Sequence, residues 1–207
     1  MHNKPAENPL LIDVRKIVIA TNNLHKLSEL RRMLGPETEV LGLRDIGCDA
    51  DIPENAPTFE GNALAKASYV REHYGYDCIA DDSGLEVDAL GGAPGVLSAR
   101  FAGVAHDDAA NNRLLLERLS GFPAEKRTAR FRTAICLLEG GHEPKYFSGA
   151  VEGRILDAPR GNAGFGYDPL FVPDGWTKTF AEATGSEKDA VSHRGRAVRA
   201  LMAFLGK

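Results

Sequence analysis

Cysteine is scarce and badly placed for cross-linking. Cys48, Cys78 and Cys136 are odd in number, widely spaced and without a CxxC pair, which excludes a disulfide framework and a thiolate zinc site. The six histidines, His2, His25, His73, His106, His142 and His193, lack the close pairs that suit transition metals. An excess of positive charge is also missing: 25 Lys and Arg face 29 Asp and Glu, for a net charge of −4. No global field favours non-specific duplex binding, so no nucleic-acid polymer is expected as a partner and any nucleotide chemistry must be local. Long hydrophobic runs are absent near the start, where Leu10–Ile12 is too short for a signal peptide or membrane span. A reducing, cytoplasmic setting without a membrane partner is the expectation. With 22 Gly and 11 Pro in 207 residues, the chain stays below the ~25% at which low-complexity behaviour begins. What it does have, 43% hydrophobic and 26% charged residues, suits a globular core.

Residues 1–15 read as a loose arm and 16–207 as a single α/β domain. Ile17–Ala20 is continuously apolar, as in a strand buried on both faces. After a polar turn, Leu24, Leu27, Leu30 and Leu34 recur at helical spacing until Gly35-Pro36. A second helix is expected from Thr58 to Tyr74, with Lys66 placed oddly inside its apolar stripe. Cys78–Ala80 reads as a short buried strand ending in Asp81-Asp82-Ser83-Gly84, followed by the hydrophobic run Leu85–Leu90 and a Gly-rich loop over 91–103. A helix capped by Asp107 or Asp108 should reach Leu119. Thr128–Leu138 alternates like a long strand, with Lys145–Leu156 as its hairpin partner. Leu170–Val172 reads as a short strand and Ser192–Leu205 as the final helix. These elements predict a mixed, twisted sheet with a long-stranded hairpin, flanking helices and two lobes around a central cleft.

Four constellations carry chemistry. The turn Thr21-Asn22-Asn23-Leu24-His25-Lys26 follows a buried strand and opens a helix, so its backbone N–H groups and Lys26 suit a phosphate; a solvated surface turn is the alternative. Glu54 and one of Asp81 and Asp82 are candidate magnesium ligands, because adjacent strand residues face opposite ways and Mg²⁺ takes one or two protein carboxylates. An Asx turn is the alternative there. Gly161–Asp168 sets Phe165 between glycines, free to stack on a base with Asp168 as acceptor, or else tucked into the core of a hairpin loop. Lys188, Ser192, His193 and Arg194 offer donors for a keto oxygen, or form a solvated basic helix start.

The set TxNxxK from Thr21, ADDSGLEVDALGGAPG from Ala80, SARFAG from Ser98, GFGYDPLF from Gly164 and SHRG from Ser192 resembles the inosine/xanthosine triphosphate pyrophosphatases. The resemblance runs from about Lys16 to Leu205 with the motifs in family order; Thr21 and Asn22 stand where Ser and Gly are frequent. It implies hydrolysis of ITP, dITP and XTP to the monophosphate and pyrophosphate, by water attack on the α-phosphorus. By resemblance, Thr21 to Lys26 binds the triphosphate, Glu54 and Asp82 hold Mg²⁺ (Mn²⁺ as a substitute), and Asp82 accepts the water proton. Lys66, Ser83, Phe165, Gly166, Tyr167, Asp168, Lys188, His193 and Arg194 complete the substrate site. A homodimer is likewise implied. The rival readings are a nucleotide-binding module without turnover and a triphosphatase for modified pyrimidines.

Overall fold

Ile17, Val18 and Ile19 form β1 (Lys16–Ile19), buried on both faces as continuous hydrophobicity requires. The computed structural model describes residues 16–35 and 38–206, so the arm expected over 1–15 lies outside it. The chain turns at Thr21 into α1 (Leu24–Leu34), which buries Leu27, Leu30 and Leu34. An edge strand, β2 (Glu39–Gly42), pairs parallel with β1. In α2 (Phe59–Tyr74) the Thr58 hydroxyl accepts the Gly61 N–H at 3.1 Å, and left-handed Gly75 ends the helix. Then come β3 (Cys78–Val87), α3 (Asp108–Arg118), β4 (Thr128–Leu138), β5 (Lys145–Ile155), β6 (Phe171–Pro173), α4 (Gly185–Val191) and α5 (His193–Phe204).

The sheet order is β2-β1-β3-β4-β5-β6, parallel across β2, β1 and β3 and antiparallel from β3 to β6. It is the mixed α/β arrangement that the sequence predicts. Side-chain alternation along β1 and β3 sorts the core. Ile17, Ile19 and Ile79 pack under α1 and α5, while Val18, Ala20, Cys78 and Ala80 pack under α2. Further along the long strands, Leu85, Val87, Phe131 and Val151 build a separate cluster with Leu115 of α3 and Leu119 at its C-terminal cap.

One sequence expectation is corrected with consequences for function. The Cys78 strand does not end before Asp81; it runs on through both aspartates and Gly84 to Val87. All ten of its residues pair with β4, which satisfies backbone groups that a turn would otherwise have to accommodate. Gly84 is needed for close approach rather than turning, since a side chain there would strike the Gly95 carbonyl. β1 pairs with β3 only as far as Ile79, so Asp81 and Asp82 lie just past the carboxyl end of a parallel strand, where α/β sheets open a crevice. β2 and α4 were not anticipated. 3-10 turns form at Asp88–Leu90, which ends the expected hydrophobic run, and at Gly95–Arg100 inside the Gly-rich loop.

Candidate active site

Alternation along β3 separates the two aspartates. Asp81 points with Ile79 toward α1 and α5, and Asp82 points with Ala80 toward α2. Beside them opens a cavity of ≈ 360 Å³, lined by every sequence-predicted site residue except Leu24, His25, Asp81 and Ser192. Leu24 is 63% exposed, because the first turn of α1 aims it outward. His25 instead lays its ring parallel to Phe165, with centroids 5.5 Å apart.

At one end of the cavity, the turn after β1 is more self-contained than expected. Asn23 Oδ1 accepts the N–H groups of His25 and Lys26 at 3.0 and 3.2 Å, and Thr21 Oγ1 accepts the Asn23 N–H at 3.1 Å. Two helix N–H groups that the sequence offers to an anion are therefore capped. Donor capacity remains in the Thr21 hydroxyl, the Asn23 amide nitrogen and the Lys26 ammonium, whose Nζ lies 3.2 Å from Asp81 Oδ2. Lys66, buried on α2, donates to the Asp81 carbonyl at 2.7 Å, contacts the Glu54 carboxylate and stands 4.0 Å from Asp82 Oδ1. Its odd place in an apolar stripe is thus explained. Burial would lower its pKa, but Glu54, Asp82 and Asp81 outweigh that and raise it, so it stays charged.

Two residues given no role by the sequence reading hold the Asp82 carboxylate and the Glu54 backbone. Asn62, fully buried, donates to Asp82 Oδ2 at 2.9 Å and accepts the Ala56 N–H at 2.8 Å, tying Asp82 to the Glu54 loop. Arg100 donates to the Glu54 carbonyl at 2.7 Å. Burial raises the Asp82 pKa, with Lys66 and Lys26 opposing and Glu54 adding to the rise. For Glu54, burial is outweighed by Lys66 and the pKa falls. Glu54 and Asp82 thus converge on one ammonium. Among the described residues no group of three or more His, Cys, Asp or Glu could hold a metal ion. A pair of carboxylates beside an open cavity does match a hard cation that completes its shell with water and substrate oxygens.

At the other end, Lys188, His193 and Arg194 are 6%, 4% and 1% exposed, which overturns the solvated helix start. Glu29 on α1, unremarked in the sequence, organises them. It accepts from Lys188 Nζ at 3.1 Å and pairs closely with Arg194. Burial of Glu29 is outweighed by these two cations, and its pKa falls. Arg194 also reaches Asp81 Oδ2 at 3.4 Å and Ser83 Oγ at 3.1 Å. Its terminal nitrogens are therefore committed and only Nε lacks a partner, which narrows the expectation that it reads a keto oxygen. His193 stacks on Phe131 at 4.9 Å, and its Nδ1 has no partner. Burial, then Arg194 and Lys188, hold the imidazole well below its ordinary pKa against the pull of Asp81, so it is neutral. Lys188 Nζ bonds Asp168 at 2.6 Å and sits 4.8 Å from the Phe165 ring centroid. Phe165 is half-buried on the cavity wall; the aromatic tucked into the core is Tyr167, whose hydroxyl donates to the Ser98 carbonyl at 2.9 Å.

Fold and cleft together define an α/β protein with a mixed sheet and one charged, partly aromatic cavity at the carboxyl end of its first strand. Residues 17–204 match the model of the Ham1 family. The chain is 50% identical over 192 residues to a Porphyromonas gingivalis protein named dITP/XTP pyrophosphatase, covering 93% of this chain and 98% of that one. Its structure superposes on the Staphylococcus aureus Ham1 protein with a TM-score of 0.83 at 40% identity, over 93% and 98% of the two chains. With a Mycobacterium abscessus structure described as a nucleoside-triphosphatase / dITP/XTP pyrophosphatase, the TM-score is 0.74 at 50% identity, over 90% and 98%. The chain belongs to the Ham1 family.

Proposed function

We propose that the cleft hydrolyses purine nucleoside triphosphates carrying hypoxanthine or xanthine, such as ITP, dITP and XTP, to the nucleoside monophosphate and pyrophosphate. The observation that carries this reading is a single cavity with a carboxylate and lysine cluster at one end and a half-buried aromatic ring beside a neutral histidine at the other. Lys26 and Lys66 offset the charge of the triphosphate. Phe165 stacks on the base. His193 donates to the C6 keto oxygen, and Asp168, held by Lys188, orients the Phe165 loop. Adenine presents an amino donor at C6, which leaves that His193 donor unpaired and is rejected for that reason.

Glu54 and Asp82 are the residues that would hold Mg²⁺, with Mn²⁺ as a substitute. The bound ion supplies charge neutralisation on phosphate oxygens. Asp82 accepts the proton of the attacking water, its Oδ2 held by Asn62 so that Oδ1 faces the lysine side of the cavity. Attack on the α-phosphorus breaks the bond to the β-phosphate and releases pyrophosphate.

A homodimer, a cytoplasmic setting and a single domain over 16–207 preceded by an arm are part of the same proposal. Among the described residues no helix is long and apolar enough to cross a membrane. Incubation with ITP, XTP, GTP, ATP and dUTP plus Mg²⁺, followed by chromatography, tests the reading. ITP and XTP should be consumed well ahead of ATP with pyrophosphate as co-product; a dUTP preference, or no turnover of any substrate, would overturn it.

A further inference from the structure

The polar end of α3 has no role in the chemistry above, yet it reaches both walls of the cleft. Leu115 and the C-cap residue Leu119 are anchored in the core with Tyr167, Leu170 and Phe171. One to two turns earlier the same side of the helix turns polar. Asn111 accepts the Ala102 N–H at 2.8 Å and donates to the Ala99 carbonyl at 3.2 Å, pinning the segment that carries Arg100. Asp108 and Asn112 stand four residues apart and share a face. Asp108 Oδ2 accepts the Gly166 N–H at 2.7 Å, and Asn112 Nδ2 donates to the Gly166 carbonyl at 2.9 Å. Both backbone groups of Gly166 are thereby held by one helix.

The consequence falls on Phe165. Its N–H donates to Asp168 Oδ2 at 3.0 Å, and its carbonyl accepts the Asp168 N–H at 3.2 Å. The Gly166 N–H belongs to the peptide that follows Phe165. The peptide planes on either side of the aromatic residue are therefore fixed, one from within the loop and the other from α3. Glycines on both sides, at φ +74° and +61°, would otherwise leave the ring free to wander. We infer that Asp108 and Asn112 are positioning residues that set the Phe165 ring for base stacking, so that α3 contributes to base selectivity without touching the base. This rests on the functional reading above, and its test is arranged to fail separately.

The measurement compares kcat/KM for ITP with that for ribose 5-triphosphate, which has the same reacting groups and no base. The ratio is taken on one protein sample, so a misfolded fraction cancels. Asp108→Ala and Asn112→Ala should each lower the ratio by ~10-fold, the order expected for one net hydrogen bond, through KM for ITP rather than kcat. Asp108→Asn keeps an oxygen acceptor and should restore the ratio. Asn112→Asp sets a carboxylate against the Gly166 carbonyl and should be at least as damaging as Asn112→Ala. An unchanged ratio in the alanine variants, or Asp108→Asn as poor as Asp108→Ala, overturns the inference. Calorimetric Kd values for inosine monophosphate and ribose 5-phosphate give the same contrast without turnover. A wild-type protein that binds both but hydrolyses neither triphosphate would sink the catalytic reading alone, and the Kd ratio would still decide the role of α3.

Discussion

The two ends of the cleft are built on opposite principles. At the carboxylate end, groups are only partly committed: the Glu54 side chain is 28% exposed and shares Lys66 with Asp82. A polyanion can exchange partners there. At the ring end, Arg194, Lys188, Glu29, Asp81 and Asp168 form a closed network of three carboxylates and two cations, with Lys26 joining through Asp81. Desolvation has already been met within the folded protein, and the network gives a ligand shape and a few aimed groups. One end is organised to take up charge and the other to hold still, and substitutions should separate chemistry from stability accordingly.

The largest effect belongs to Asp82→Asn, which removes the proton acceptor while keeping the Asn62 contact. Turnover should fall by ~10²- to 10⁴-fold with little change in melting temperature; a loss below tenfold would blur the distinction. Arg194→Met should do the reverse in kind, removing the buried cation that Glu29 and Asp81 share and leaving them only Lys188 and Lys26. A stability loss of ~3 to 5 kcal/mol is expected for breaking such a network, read as a lower midpoint in denaturant. Phe165→Ala should weaken nucleotide binding by ~1 to 3 kcal/mol, seen in the KM for ITP with kcat largely kept.

The smallest effect is also the one most specific in pH. Glu29 has a lowered folded-state pKa, so its stabilisation is present above the unfolded value of 4.5 and is lost as pH falls through the folded value. The gap in melting temperature between wild type and Glu29→Gln should be full at neutral pH and shrink below about 4.5. A gap that widens in acid would mean that Glu29 is not held ionised by Arg194 and Lys188.

How much of this was legible follows from where each partner lies in the chain. β1, α1, α2 with its Thr58 cap, and the β4–β5 hairpin could be read because their signals are local periodicity and caps. The local pattern stops β3 at Asp81, because what carries it on to Val87 is the ladder with β4, some fifty residues away. α4 leaves no hydrophobic periodicity to read, although Thr184 and Glu187 form a capping box with the expected spacing. In the site, motif spacing extended by the family resemblance found about half of the residues that line the cavity. It did not find Glu29, whose partner Arg194 is 165 positions distant, nor Asn62 and Arg100, which act on other side chains or on backbone. The phosphate-turn reading of Thr21–Lys26 is narrowed for a local reason, since the Asn23 side chain takes two of the N–H groups that the turn would offer.

The central claim is that water enters at the α-phosphorus. Hydrolysis of ITP in ¹⁸O-labelled water, with mass analysis of both products, tests it most directly. The label should appear in the phosphate of inosine monophosphate and be absent from pyrophosphate. Label in the pyrophosphate, or release of orthophosphate with inosine diphosphate, would contradict the account.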